Sequence, residues 1–319
     1  MKRVWFSWFS FLFCFFVSPL LAQGRFPLDL EYTAAVERVS RSFVSIYVLP
    51  EGQKSLILDR NTIYGAGVII DRNGLILTCS RLVEKSRHTI YVFPTTGERF
   101  QAKILGINRQ YGVALLKVAA SNLTPISFAD SRKVLAGKLS LKFGNAFQTS
   151  KDFTPSVSVG TVSGVVRFPS LGPLLRTDAA VNQGDFGGPL TDSKGRLLGI
   201  LLPIWVSSRT NTYVSYAVPS HTLQKLLVDL KSGYLGILMT VEETKRGGAL
   251  IEEVDPAGPA AKAGILRGDI IVEFGGVSIE STAELVRALR KYMAGDRVQI
   301  LLRRRGELFR TYVILSRRK

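Results

Sequence analysis

Residues 64–79 read Tyr-Gly-Ala-Gly-Val-Ile-Ile-Asp-Arg-Asn-Gly-Leu-Ile-Leu-Thr-Cys. Two β-branched, apolar runs flank Asp71-Arg72-Asn73-Gly74, a cluster of residues that turns favour, so the stretch predicts a β-hairpin. The same grammar extends in both directions. Before it lies FVSIYV (43–48). After it come TIYVFP (89–94), FQAKILGI (100–107) and VALLKV (113–118), punctuated by Thr96-Gly97 and Asn108-Arg109. Further on stand KLSLKFG (138–144), VSVGTVSGVV (157–166), PLLRTD (173–178), RLLGILLPIWV (196–206) and TYVSYAV (212–218). Short strands at this spacing with almost no helix between them indicate barrels or sandwiches. They are too many for one small barrel, and two packed β-barrels are expected. Helical spacing appears only at the margins, over 33–42 and over 219–233, with Ser220 as N-cap and Gly233 as the C-terminal glycine of the second helix.

Past Gly233 the pattern changes. YLGILMTVE (234–242), GALIEEV (248–254), DPAGPAAKAGI (255–265), RGDIIVEFGG (267–276), STAELVRALRKYM (281–293), DRVQILLRRRG (296–306) and FRTYVILS (309–316) follow. They read as strand, strand, short helix, strand, amphipathic helix, strand, strand, with Ser281 or Thr282 capping the longer helix. The fold class is therefore mostly β, a double β-barrel followed by a small α+β domain, with the boundary between Leu230 and Tyr234.

Composition bounds the function. The 319 residues suffice for two domains. A hydrophobic fraction of 46% with 21% charged residues excludes a disordered chain. Two Cys and two His exclude a disulfide scaffold and leave too few ligands for a zinc site, so neither metal nor cofactor is expected. The net charge of +17 allows contact with anionic surfaces, with the densest runs at Arg303-Arg304-Arg305 and Arg317-Arg318-Lys319. Nothing resembles a nucleic-acid-reading helix or aromatic strand surface. At the start, Lys2 and Arg3 precede an apolar run (4–17) and a small-residue exit ending at Ala22. This predicts a secretory signal, residues 1–22, cut after Ala22. The alternative is an uncleaved membrane anchor over 4–22, just long enough to span.

Three stretches of the first region resemble the HtrA/DegP family of trypsin-fold envelope proteases. They are Gly65–Thr78, Gly112–Val118, and Thr177-Asp178-Ala179-Ala180-Val181-Asn182-Gln183-Gly184-Asp185-Phe186-Gly187-Gly188-Pro189-Leu190. Their order and spacing also match. The second region resembles the PDZ domain that follows the protease in that family, through Tyr234-Leu235-Gly236-Ile237, Pro256–Ile265 and Gly268-Asp269-Ile270-Ile271. The resemblance implies a trypsin-like double β-barrel over 23–232 and a PDZ domain over 233–319. It also implies a homotrimer through the protease domain; a mixed assembly with an active relative stands beside this as a separate alternative.

Carried over position by position, the resemblance places the family's catalytic His at Arg81, its Asp at Gly112 and its Ser at Phe186. An arginine does not accept a proton at working pH, glycine orients nothing, and a benzyl group is no nucleophile. His88, His221 and Cys79 are not placed to substitute. The chain is accordingly expected to be non-catalytic, with serine-type endopeptidase activity as the disfavoured alternative. The glycines in and beside the former oxyanion loop Gly184-Asp185-Phe186, namely Gly184, Gly187 and Gly188, should preserve its shape. Phe186 is expected to plug the site and Arg81 to pair with Asp185.

The PDZ resemblance implies that Tyr234, Leu235, Gly236 and Ile237 bind a peptide carboxylate through backbone N–H groups. Leu235 and Ile237 would line an apolar pocket beside helix 281–292. The expectation is an exported protein of the periplasm or cell envelope that binds exposed C-terminal peptides of envelope proteins, as scaffold, chaperone-like holder or regulator of an active relative. A further alternative is a basic protein of the envelope or an anionic membrane surface.

Overall fold

The computed structural model describes residues 27–50, 62–84, 88–169, 171–203, 215–240 and 247–317. The signal or anchor segment at 1–22 lies outside them. No helix among the described residues is long and apolar enough to cross a membrane.

Helix α1 (Pro27–Ser40) leads into the first barrel, starting earlier than the expected 33–42. This barrel is built from β1 (Phe43–Pro50), β2 (Ile63–Ile69), β3 (Leu75–Cys79), β4 (His88–Pro94), β5 (Phe100–Asn108) and β6 (Val113–Val118). The strands are antiparallel and close in the order β1-β2-β3-β6-β5-β4. The predicted hairpin is present as β2 and β3, with Val68 opposite Leu77. All five residues of β3 are buried, because one pleat face fills the barrel and the other meets neighbouring elements. Four-residue helix α2 (Ser80–Val83) follows directly.

The second barrel closes in the order β10-β11-β12-β9-β8-β7. Its strands are β7 (Leu139–Gly144), β8 (Ser156–Phe168), β9 (Gly172–Thr177), β10 (Pro189–Asp192), β11 (Leu197–Leu202) and β12 (Ser215–Pro219). Strand β10 was not expected. It is four residues long, opens on proline and is recognisable only through its pairing with β7 and β11. Helix α3 (Ser220–Lys231) then crosses to the first barrel. A Cβ at Gly106 of β5 would stand 2.4 Å from the Leu230 carbonyl oxygen, so only glycine admits this approach.

Two details of α3 correct the expectation. Ser220 is the first helical residue rather than its cap, and its hydroxyl donates to the Ala129 carbonyl at 2.6 Å. The helix ends at Ser232, whose extended backbone does the turning, and Gly233 instead donates its N–H to the Tyr292 carbonyl at 2.8 Å.

The C-terminal sheet has the order β13-β14-β15-β17-β18. Its strands are β13 (Ile237–Met239), β14 (Ala249–Val254), β15 (Ile270–Phe274), β17 (Arg297–Arg304) and β18 (Glu307–Ile314), and the two-residue β16 (Val277–Ser278) pairs with β15. Four-residue helix α4 (Pro259–Lys262) and α5 (Thr282–Leu289) accompany it. Ser281 caps α5 as expected, its hydroxyl accepting the Glu284 N–H. A separate core of Leu235, Ile251, Ile271, Phe274, Leu285, Ile300 and Leu302 holds this domain together. Each such side chain contributes about 1.5–3 kcal/mol by burial.

Candidate functional site

The residues singled out in the first domain meet where the two barrels face each other. The β3 end carries α2 and Arg81. The Ser80 N–H donates to the Gly112 carbonyl at 2.8 Å, which fixes the start of β6 beside it. From the second barrel comes the loop 182–188. The Ala66 N–H donates to the Phe186 carbonyl at 3.0 Å, and a Cβ at Gly187 would fall 2.8 Å from the Cys79 nitrogen. The segments bearing Arg81, Gly112 and Phe186 are thus brought together.

Their side chains differ in environment. Phe186 is half-buried and packs against the barrel core. Arg81 is exposed. The expected Arg81–Asp185 pair is not formed. Asp185 is fully buried, and its carboxylate accepts from the Lys142 ammonium at 2.8 Å and from the Asn182 N–H at 2.7 Å. Lys142 is itself 1% exposed. Lysine wins over Arg81 because β7 points it inward beneath the loop, whereas α2 holds Arg81 in solvent.

The signal for this pair was the single lysine in LSLKFG, an otherwise apolar strand. Beside it, fully buried Asn145 donates its amide nitrogen to the Tyr47 hydroxyl at 3.0 Å and its backbone N–H to the Gly184 carbonyl at 3.1 Å. That clamps the loop to the first barrel. Burial raises the Tyr47 hydroxyl above its ordinary value, and burial together with the Asp185 charge raises Tyr64.

The loop conformation has a chemical consequence. Gly184 has φ +97°, a region that favours glycine. The Gly184 and Phe186 N–H groups donate to no partner among the described residues. Two unpaired N–H groups on one tight turn can donate to a carbonyl or oxyanion oxygen.

Cys79 is a buried thiol pushed up to about 12, chiefly by burial, and so stays protonated and inert at neutral pH. His88 lies at the start of β4. His221 sits elsewhere, its ring Nδ1 2.8 Å from the Ser131 hydroxyl. That hydroxyl also accepts the His221 backbone N–H at 3.1 Å, so the contact clasps α3 to the turn at 131–133. Nearby, hydrogen bonds from Arg132 hold the exposed Asp130 carboxyl down at about 2.

Burial, followed by the charges of Lys225 and Arg132, lowers the His221 pKa below 6.5. The unfolded chain therefore binds this proton more readily. The His221 contribution to stability is present above pH 6.5 and is lost as pH falls through the folded pKa. An NMR titration of the His221 ring should show a midpoint below that of a model histidine. A midpoint above it would contradict the assignment.

In the second domain, Tyr234–Ile237 form the approach to β13. The Tyr234 N–H donates to the Ser316 carbonyl at 2.7 Å, while the Leu235 and Gly236 N–H groups have no partner among the described residues. Gly236 has φ +79°. Leu235 is 2% exposed and belongs to the core, which corrects its expected place in an open pocket, whereas Ile237 is half-buried. Among the described residues no strand pairs with the outer edge of β13, and the Thr282 hydroxyl of α5 donates to the Thr240 carbonyl at 2.8 Å. A separate cleft of about 460 Å³ beside α5 is lined by Val277, Glu280, Glu284, Arg287 and Lys291 and excludes these residues. Among the described residues no three His, Cys, Asp or Glu side chains cluster as metal ligands would.

Comparison with known proteins agrees with this architecture. Residues 65–200 match the trypsin-like peptidase domain and residues 233–315 the PDZ domain. A "Probable periplasmic serine endoprotease DegP-like" of Halomonas elongata is 28% identical over 274 residues, covering 81% of this chain and 57% of that protein. The "Serine endoprotease DegS" of Haemophilus influenzae is 29% identical over 297 residues, covering 89% and 84%. The crystal structure of the serine endoprotease from Yersinia pestis superposes with a TM-score of 0.52 at 28% identity, covering 89% of this chain and 97% of that one. The chain spans about half the length of the DegP-like relatives it matches.

The expectation of a non-catalytic chain is corrected here. Its relatives are named serine endoproteases, and no comparison shows a lost triad or sets this chain apart from them. That expectation weighed three side chains at 81, 112 and 186. It gave too little weight to what surrounds them, namely both barrels and a loop with two unpaired N–H donors. The chain is built as an HtrA/DegP-like protein, a trypsin-like peptidase domain followed by one PDZ domain.

Proposed function

We propose that this chain is an exported HtrA-type protein that recognises polypeptide C-termini in the envelope through its PDZ domain. The observation that carries the proposal is the pair of unpartnered N–H groups at Leu235 and Gly236, beside the open edge of β13. A peptide laid along β13 gains strand hydrogen bonds, and its carboxylate can take up the two free backbone donors beside that strand. Ile237 and α5 favour an apolar last residue. The domain boundary at 232/233, the loop Gly184–Phe186 as the holder of a substrate carbonyl, and a homotrimer or mixed assembly belong to this proposal. So does export, which the periplasmic names of the relatives support.

Fluorescence polarisation with a panel of labelled C-terminal peptides tests it. Micromolar binding is expected for peptides ending in an apolar residue. Amidation should weaken it at least tenfold, about 1.4 kcal/mol. Equal binding of acid and amide would overturn the carboxylate site. The relatives are named serine endoproteases, so endoprotease activity is assayed as well. Casein digestion by the purified chain, beside an HtrA-type endoprotease as positive control, assays it directly.

A second reading, favoured by the net charge of +17, is contact with an anionic membrane surface.

A further inference from the structure

Strands β17 and β18 form a hairpin whose turn is Arg305-Gly306. Its register puts Val298 opposite Val313 and Leu302 opposite Phe309 on the side of the core. The alternate positions face away. They are Arg297 opposite Ile314, Gln299 opposite Tyr312, Leu301 opposite Arg310, and Arg303 opposite Leu308. This outward face carries three arginines and no carboxylate. Leu308 and Ile314 are each 64% exposed and Tyr312 is 50% exposed. The Arg297 guanidinium lies 4.3 Å over the Tyr312 ring centre. Helix α4 packs on the other side, where the Thr311 hydroxyl donates to the Ala263 carbonyl at 2.8 Å. On the neighbouring strand β15, Glu273 stands opposite Leu301.

Protruding Leu and Ile next to arginines stacked with tyrosine is an unusual combination for a water-exposed sheet. Exposed apolar side chains point to an interaction site when they gather on one face instead of standing singly. Arginines beside an amphipathic ring suit a boundary that is apolar on one side and anionic on the other. We propose that the outward face of the β17–β18 hairpin docks on anionic lipid headgroups. Leu308, Tyr312 and Ile314 enter the interface, and Arg297 and Arg310 meet the phosphates. This rests on the membrane-surface reading above and names the patch that performs it. Strand β18 stands at the other end of the sheet order from β13, while Ser316, just past Ile314, bonds Tyr234, so the patch runs up to the carboxylate loop at that end.

Co-sedimentation of the full chain with vesicles of phosphatidylglycerol and phosphatidylcholine, against phosphatidylcholine alone, tests the proposal. Binding is expected to the anionic vesicles only, and to fall as salt rises. The Arg297→Gln/Arg310→Gln variant should bind at least tenfold more weakly. The Leu308→Ser/Ile314→Ser variant should also weaken binding while retaining the salt dependence. Thermal unfolding checks that both variants fold. If wild type binds anionic vesicles and neither variant differs from it, the hairpin assignment fails and the membrane reading stands. If wild type binds no vesicle, or both kinds equally, both fail. If the substitutions alter self-association in sedimentation equilibrium and leave vesicle binding unchanged, the face is an interface between copies and the proposal is overturned.

Discussion

Replacing Lys142 by methionine is expected to lower the free energy of unfolding by about 3–5 kcal/mol. Among the described residues the ammonium is the only cationic partner of a carboxylate with 0% side-chain exposure, at 2.8 Å. Methionine fills similar volume but leaves Asp185 charged and buried. Among the described residues the Asn182 N–H at 2.7 Å and a distant Ser156 hydroxyl at 3.5 Å are its remaining donors. A denaturant titration reads the loss. The double variant Lys142→Met/Asp185→Asn should recover part of it, because a neutral amide costs far less to bury than an unpaired charge. A single-variant loss below about 1 kcal/mol would show that the pair does not hold the loop.

Gly187→Ala should be comparably severe, with a loss of about 3 kcal/mol. Two independent costs combine. The residue has φ +85°, where a Cβ is strained. That Cβ would also stand 2.2 Å from the Thr78 hydroxyl and 2.4 Å from the Ala66 carbonyl oxygen. The hydroxyl cannot swing away without losing its 2.7 Å bond to that same carbonyl. Both barrels contribute to the collision, so thermal unfolding should shift as one transition. A variant as stable as wild type would mean that the loop does not sit against β2 and β3 as described.

These two substitutions mark where the sequence stopped being legible. The barrels were visible because period-two runs such as FVSIYV and VALLKV leave few alternatives, and turn residues marked their ends. Strand β10 was missed because four residues opening on proline have no period of their own. The α5 cap was readable from a local rule, a serine three residues before a glutamate. Ser220 also heads a helical run, but Leu223 stands where the glutamate would be, and a tertiary bond to the Ala129 carbonyl took its hydroxyl.

The site was legible as segments and not as pairs. Motif order placed Arg81, Gly112 and Phe186 in one region, and the structure brings those segments together. Which cation meets Asp185 depends on strand direction in three dimensions. The sequence favoured Arg81 by motif proximity, and inward-pointing Lys142 prevailed. Leu235 shows the same limit, since its neighbours in the chain suggested a pocket wall and the fold made it core. The non-catalytic expectation failed differently. It judged function from three side chains, while the relatives that share the surrounding fold are named serine endoproteases.

The central claim is that the backbone at Tyr234–Ile237 holds a peptide carboxylate. Its most direct test is a ¹⁵N-resolved NMR titration of the full chain with a C-terminal peptide ending in an apolar residue. The account predicts that the Leu235 and Gly236 amide resonances move first and farthest, downfield as they take up a charged acceptor, and that the amidated peptide leaves them in place. Peptide binding that perturbs only residues away from 234–240, with the Leu235 and Gly236 amides unmoved, would contradict it.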